Sequence, residues 1–295
     1  MMLPTAQPSA NSGGQVGLGD HEQNPCYENL LHDYSQLQER MQRRTLALAS
    51  AAHELKTPLS ILSGYLEILL NGKLGTLNDR QSQVLKAMQG SSVRLQQFIR
   101  DFLTYSALET NTPAVELEPG DLSACLRELY EIWLPRFQDK EIAFYFLAPE
   151  KTVPSFRFDY HKIQRVVSHL LENAFSYVPT KATVWMSIEP YLWDRRVHQH
   201  GEIVGERRRV SVTGPNAARI NVCDTGPGIA PEFHQEIFED FVSLRRSPDT
   251  QGSGLGLAIA RRLMLAQQGK IWVESQVERG AKFSLLLPLN PSELG

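Results

Sequence analysis

Little in this chain marks a specialised environment. Only three of its 295 residues are cysteines, Cys26, Cys125 and Cys223. They are odd in number and far apart, so they build neither a disulfide framework nor a CxxC metal pair. A reducing, cytoplasmic setting is the natural expectation. No stretch approaches the ~20 apolar residues that a membrane helix needs; the best run, Leu59 to Leu70, falls short and carries Glu67. The N-terminus lacks the basic and apolar regions of a signal peptide, so a soluble chain is expected. Neither sign of charge is in excess: 30 Lys+Arg stand against 33 Asp+Glu, a formal net charge of −3. That leaves no chain-wide field to draw in nucleic acid or anionic lipid. Apolar side chains are not scarce. At 42% hydrophobic the sequence excludes wholesale disorder, and at ~100–200 residues per domain its length suggests about two domains.

Residues 1–25 are rich in Gly, Ser, Pro, Gln and Asn and read as a disordered tail. From Tyr27 the pattern turns helical. Leu30, Leu31, Tyr34, Leu37, Met41 and Leu46 recur at short helical spacings, and Leu55, Leu59, Leu62, Leu66 and Leu69 continue the row. Pro58 predicts a kink, because the pattern resumes at once. The cluster Asn71-Gly-Lys-Leu-Gly75 breaks the helix. Thr76 or Asn78 can then cap a second helix, whose stripe runs through Val84, Leu85, Met88, Ser92, Leu95, Phe98, Ile99, Phe102 and Tyr105. The expectation is a helical hairpin within residues 26–112. Two helices bury few apolar faces, so two hairpins closing into a four-helix bundle, and hence a homodimer, are predicted.

Residues 110–120 hold two prolines and read as a linker, placed at 113–120 between the domains. Beyond it, helical periods at 122–137, 159–174 and 253–268 mix with strand patterns at 142–147, 155–158, 182–188, 220–223, 270–275 and 281–287. That mixture predicts a two-layer α/β sandwich over 121–290, with a short tail at 291–295. The polar, Arg-rich stretch 189–219 reads as a loop insertion. Its Arg195, Arg196, Arg207, Arg208 and Arg209 are interleaved with Asp194, Glu202 and Glu206, which favours a solvated loop over a lipid contact.

Four constellations carry chemistry, each with a plainer reading beside it. His53-Glu54-Leu-Lys-Thr57-Pro58 sits within the first helix. A neutral imidazole is a competent nucleophile near pH 7, and an adjacent carboxylate can take its other ring proton. The plainer reading is an exposed histidine beside a glutamate. Asp224-Thr-Gly226-Pro-Gly228-Ile229 follows a strand. Its glycines let backbone approach a ligand and its aspartate offers an acceptor, or else it is an ordinary tight turn. Gly252-Ser-Gly254-Leu255-Gly256-Leu257 opens a helix and offers backbone N–H groups to an anion, or serves as structure alone. It fits neither the dinucleotide fingerprint nor the P-loop. Asn173, in Leu170-Leu-Glu-Asn-Ala-Phe175, offers an amide oxygen to a hard cation such as Mg²⁺, or is a core amide.

Together these motifs resemble a bacterial sensor histidine kinase of the two-component type, over residues 45–289. Residues 53–58 resemble the H box, 169–177 the N box, 224–229 the G1 box, 237–241 the F box and 252–257 the G2 box. The resemblance implies a dimeric helical bundle joined to an ATP-binding α/β sandwich of the Bergerat type. It implies autophosphorylation from ATP on His53, then transfer to an aspartate of a response-regulator receiver domain. Glu54 would be the general base and Thr57 would position water when the enzyme acts as a phosphatase of its partner. Asp224 would accept from the adenine amino group, with Tyr177 and Ile229 near the base and Gly226 and Gly228 shaping the turn. Gly252, Gly254, Leu255 and Gly256 would flank the phosphates, and Asn173 would hold Mg²⁺. Phe238 and Phe241 would anchor a lid over 240–253, where Arg245 and Arg246 would meet phosphate oxygens.

Two positions depart from the family pattern. His169 stands where the N box opens with asparagine, and Ser176 where a Lys or Arg is common. Arg245, Arg246 or Lys181 would have to make up the missing cation. Residues 1–45 are short for a ligand-binding domain, so input is expected through the N-terminal helix, the 189–219 insertion or a separate sensor protein. The alternatives are a phosphatase-dominant member and a catalytically weak ATP-binding scaffold.

Overall fold

The computed structural model describes residues 25–110, 115–149, 153–193, 214–244 and 253–289. The expected tails, the core of the 189–219 insertion and the middle of the expected lid therefore lie outside the described residues. The chain divides into Met1–Arg43 and Arg44–Gly295. In the first unit the described residues form the start of a helix, with an exposed Arg43–Glu39 pair at 3.3 Å of the kind that contributes little.

Helix α1 (Pro25–Leu70) carries Pro58 in its interior without ending there. Proline has no N–H, so the carbonyl of Glu54 receives no intrahelical bond from it. Gly72, at φ +69°, lets the chain leave the helix in the left-handed conformation that a side chain disfavours. Helix α2 (Asp79–Thr110) opens on a reciprocal cap. The Gln81 amide donates to Asn78 Oδ1 at 2.8 Å and the Asn78 amide donates to Gln81 Oε1 at 3.0 Å. Asn78, not Thr76, is thus the capping residue. The two helices are pinned side by side by Ser63 Oγ against Ser92 Oγ at 2.8 Å and by Gln96 Nε2 donating to Ser63 Oγ at 3.0 Å. Ala52, Leu66 and Ile99 of these helices are buried, whereas Leu55, Ile61, Leu62, Tyr65, Val84, Met88 and Leu95 stay exposed.

The remaining elements form the sandwich. They are β1 (Glu118–Gly120), α3 (Leu122–Asp139), β2 (Ala143–Leu147), β3 (Phe156–Phe158), α4 (Tyr160–Tyr177), β4 (Thr183–Tyr191), β5 (Ala217–Asp224), α5 (Gly256–Ala266), β6 (Lys270–Ser275) and β7 (Ala281–Pro288). The main sheet has the order β2-β4-β5-β7-β6, parallel between β2 and β4 and antiparallel elsewhere. Alternation along β4 turns Val184, Met186 and Ile188 inward, where they join Leu126, Phe137, Ile163, Leu170 and Ile259 from the three helices in one core. Side-chain caps start α3 and α4: Asp121 accepts from the Ser123 amide at 2.8 Å and Asp159 from the Lys162 amide at 3.0 Å. The Asp159 cap is the one the sequence predicts.

Three expectations change. Glu118–Gly120, expected in the linker, is strand β1, paired antiparallel with β3. The 189–219 insertion is narrower, because β4 and β5 continue their ladder from Glu189↔Arg219 to Tyr191↔Ala217. Arg219 bonds Glu189 at 2.7 Å and its guanidinium lies 4.6 Å from the centroid of Tyr191, so polar side chains line the outward face of a real strand. Helix α5 begins at Gly256 rather than Ser253, because Gly254 at φ +67° cannot lie within a helix. Among the described residues no helix is long and apolar enough to cross a membrane.

Candidate functional site

The ends of α4, β5 and β7, the start of α5 and one face of α2 enclose a cleft of about 860 Å³, within the range of small-molecule sites. Seven of the residues singled out in the sequence, Asn173, Tyr177, Asp224, Gly228, Ile229, Gly254 and Gly256, line it together.

The floor is built on the end of β5. Asp224 Oδ1 accepts from the Gly226 amide at 2.8 Å. Burial pushes the Asp224 carboxyl above its ordinary range, opposed by bonds from the Gly226 and Ala281 backbone. A half-buried acceptor thus lines the cleft beside the apolar Ile229 and Phe283. The turn depends on glycine at close approaches: a Cβ on Gly228 would lie 1.9 Å from the Gln276 carbonyl oxygen, and one on Gly280 1.9 Å from that of Asp224. Gly226 itself is buried behind the turn.

The opposite wall is α4 and the start of α5. Asn173 and Glu172 are half-buried on the cleft face of α4. His169, one turn earlier, is buried, with Nδ1 3.4 Å from Glu172 Oε2; its Nε2 is buried without a partner among the described residues. A Cβ on Gly256 would sit 3.2 Å from His169 Nδ1, so the histidine packs directly under the start of α5. Leu255 adds no side chain to the cleft: it is fully buried in the core, and its amide donates to Ser253 Oγ at 3.2 Å.

Other expected site residues are placed differently. Phe241, at φ +62° and exposed, packs edge-on against Tyr105 of α2, with centroids 5.6 Å apart; its neighbours Val242, Ser243 and Leu244 line the cleft instead. Arg245, Arg246 and Gly252 lie outside the described residues. Lys181 is exposed in the left-handed turn before β4 and is not part of the lining. The cations on that side are Arg136 of α3 and Lys140, the residue that caps its C-terminus. Arg136 lies 4.1 Å from the centroid of Trp133 and 5.1 Å from that of Phe175. Lys140 donates to the Phe175 carbonyl and, at 3.0 Å, to that of Val178, closing the end of α4; burial lowers its pKa.

His53, Glu54 and Thr57 are carried by α1. Glu54 and Thr57 are exposed and stand outside the lining; the side chain of His53 lies outside the description. The sequence reading missed the α2 wall. Gln97, Phe98, Arg100 and Asp101 face the cleft, and Asp101 is buried, accepting from Gln97 Nε2 at 3.0 Å and from Ser253 Oγ at 3.3 Å. Burial raises its pKa. An aspartate within an apolar stripe was the one available signal.

Comparisons with known proteins agree with this layout. Residues 43–111 match the model of the His Kinase A (phospho-acceptor) domain. Residues 158–291 match that of the histidine kinase-, DNA gyrase B- and HSP90-like ATPase. The adaptive-response sensory kinase SasA of Synechococcus sp. (strain JA-3-3Ab) is 31% identical over 266 residues, covering 88% of this chain and 63% of the relative. The chain thus spans less than two thirds of that relative's length. Full-length ShkA, crystallised with AMPPNP, is 27% identical and superposes with a TM-score of 0.59 over 83% of this chain and 46% of its own. Histidine kinase ThkA, in complex with response regulator protein TrrA, shares the fold at 21% identity, with a TM-score of 0.56 over 88% of this chain and 67% of its own. With a phospho-acceptor hairpin and an ATPase-type sandwich in this order, the chain belongs to the sensor histidine kinases of two-component systems.

Proposed function

We propose that the chain is an ATP-dependent protein-histidine kinase. It takes the γ-phosphoryl group of ATP onto His53 and passes it to an aspartate of a response-regulator receiver domain in the cytoplasm. The observation that carries this reading is the convergence of Asn173, Asp224 and the Gly254–Gly256 turn on one cleft, in a chain whose first domain displays a histidine followed by a carboxylate.

The cleft suits an adenine nucleotide. The half-buried Asp224 carboxylate accepts from the adenine amino group, while Ile229 and Tyr177 flank the base. The N-terminus of α5 at Gly256 presents free backbone N–H groups to the phosphates. Arg136, rather than Lys181, stands on the cleft wall as a cation for an anionic ligand. Mg²⁺ fits as well. No three His, Cys, Asp or Glu side chains gather among the described residues into a dedicated metal cage. Mg²⁺ is commonly held by one or two protein oxygens with substrate phosphates supplying the rest. Asn173, with Glu172 beside it, offers those oxygens. The ion would neutralise charge on the β- and γ-phosphates.

In the transfer, a ring nitrogen of His53 uses its lone pair to form the bond to the γ-phosphorus. The bond from that phosphorus to the β,γ-bridging oxygen breaks, and ADP leaves with the electron pair. The other ring nitrogen's proton passes to Glu54. When the enzyme acts as a phosphatase of its partner, Thr57 positions a water that attacks the phosphorus of the receiver's phosphoaspartate, releasing inorganic phosphate and the free carboxylate. The receiver aspartate then attacks the phosphohistidine, returning the nitrogen its electron pair. The exposed apolar face of the hairpin supports a homodimer, since a second copy would cover Leu62, Val84 and Leu95.

The test is incubation with γ-labelled ATP. Acid-labile, alkali-stable label on the protein, absent in His53→Gln, is the expected result. A wild type that binds nucleotide but takes up no label would overturn the proposal.

A further inference from the structure

Helix α2 forms more than a wall of the cleft. Its last turns grip the ATPase-type domain at three points. Tyr105 Oη donates to Asp240 Oδ2 at 2.8 Å. The Arg262 guanidinium stacks 4.4 Å from the Tyr105 ring centroid and donates to the same carboxylate, at 3.0 Å to Oδ2 and 3.3 Å to Oδ1. One turn earlier Ser253 Oγ donates to Asp101 Oδ2 at 3.3 Å, and between them Arg165 donates to Thr104 Oγ1. Asp101 and Tyr105 are four residues apart, on one face of the helix. The partners come from α4 (Arg165), α5 (Arg262), the turn at Asp240 and Ser253 of the glycine-rich segment. The contact therefore fixes the orientation of the whole domain rather than of one loop.

The height of this contact along the hairpin follows from the hairpin's own pairing. Ser63 of α1 meets Ser92 and Gln96 of α2. The helices run antiparallel across a short turn, so a step back along α1 matches an equal step forward along α2. Ten residues before Ser63 is His53; ten residues beyond Ser92 and Gln96 are Phe102 and Ser106. The backbone of His53 thus lies level with Thr104 and Tyr105. The domain that lines the nucleotide cleft is clasped to α2 at the level of the proposed acceptor.

We infer that Tyr105 and Asp240, braced by Arg262, are positioning residues that dock the nucleotide-binding domain at the height of His53. The inference rests on the kinase reading. The transfer keeps its chemistry: nitrogen bonds to the γ-phosphorus as the bridging P–O bond breaks and ADP departs. Neither Tyr105 nor Asp240 lines the cleft, so the docking acts on the rate of transfer and not on nucleotide affinity.

The experiment uses the full chain and reads two quantities: affinity for a fluorescent ATP analogue, and the labelling rate at saturating γ-labelled ATP. Tyr105→Phe keeps the ring against Arg262 and Phe241 but removes the bond to Asp240. Since hydrogen bonds to charged groups are among the stronger ones, a fall of about tenfold in labelling rate is expected, with affinity within about twofold. Asp240→Ala removes the same bond together with the Arg262 pair, so it should slow labelling at least as much, and the double variant should be no slower than Asp240→Ala alone, since that change already removes the Tyr105 bond. A labelling rate that is unchanged or faster in both variants, with affinity intact, overturns the inference, and a faster rate makes the contact inhibitory. Lost affinity would make these residues part of the nucleotide site, which also overturns it. A wild type that takes up no label defeats the kinase reading itself.

Discussion

The hairpin and the sandwich handle apolar surface in opposite ways. In the sandwich Phe137, Leu126, Ile163, Leu170, Met186 and Ile259 are all essentially inaccessible, closed in by the domain's own helices and sheet. In the hairpin the periodic apolar residues are only half used: Ala52, Leu66 and Ile99 are buried, while Leu62, Val84, Met88 and Leu95 are exposed. A domain whose core is internal keeps its own shape and supplies most of the walls of a ligand cleft. A domain whose core is left open needs a second surface to complete it, and its order responds to whatever supplies that surface.

The sharpest way to break this comparison is to disable the cleft while sparing the core. Asn173→Ala removes a half-buried amide from the cleft wall and no core volume. Labelling from ATP should be abolished while the thermal midpoint of the protein stays within a few degrees of the wild type; unchanged labelling would remove Asn173 from the metal's ligands. Next comes the core. Phe137, which packs against Phe144 at 4.5 Å between ring centroids, should cost about 3–5 kcal/mol when cut to alanine. Denaturant unfolding of the sandwich would read this loss, and a cost under about 1 kcal/mol would show that the two domains are packed alike.

The hairpin should behave in the reverse manner. Leu62→Glu places a charge where a second copy is expected. It should weaken the dimer by at least about 100-fold in sedimentation equilibrium, because a charge would be buried unpaired, and leave nucleotide binding alone. An unaltered dimer would mean that the open face is not the interface.

The smallest effects concern two buried acids. At Asp159, burial alone would raise the pKa, but bonds from Lys162 and the Glu116 amide outweigh it and the net value is lowered. Its ionised form therefore stabilises the fold above the ordinary carboxylate range, and that contribution is lost as pH falls through the folded value. Asp101 is the opposite case: burial raises its value, so ionising it opposes the fold, and stability declines as pH rises from the ordinary carboxylate range through the folded value. Thermal midpoints across pH 3–7 should lose acid-side slope in Asp159→Asn, relative to wild type, and lose the decline with rising pH in Asp101→Asn.

Legibility in the sequence followed the range of each interaction. The Asn78 and Asp159 caps were readable because side chain and amide lie three residues apart, and the glycine turns because a positive φ is a property of one residue. Strand β1 was not, since a three-residue strand containing proline exists only through its pairing with Phe156–Phe158. The extension of β4 and β5 was hidden for a related reason: a polar strand face looks like a loop until Arg219 finds Glu189. Leu255 was assigned to the phosphates by its place in a glycine-rich run, and only packing shows it spent in the core.

By itself the sequence determined which chemical groups the chain has and in what order: a histidine with a carboxylate beside it on a helix, a metal-competent amide, an aspartate at a strand end, and glycines where backbone must pass close. These are matters of residue type and short spacing, and covalent geometry enforces them. Only the tertiary structure decided which surfaces meet: that α2 walls the cleft, that Arg136 and Lys140 rather than Lys181 stand beside it, and that Tyr105 holds Asp240 from 135 residues away. Such contacts depend on the packing of whole elements, and no local period in the chain encodes them.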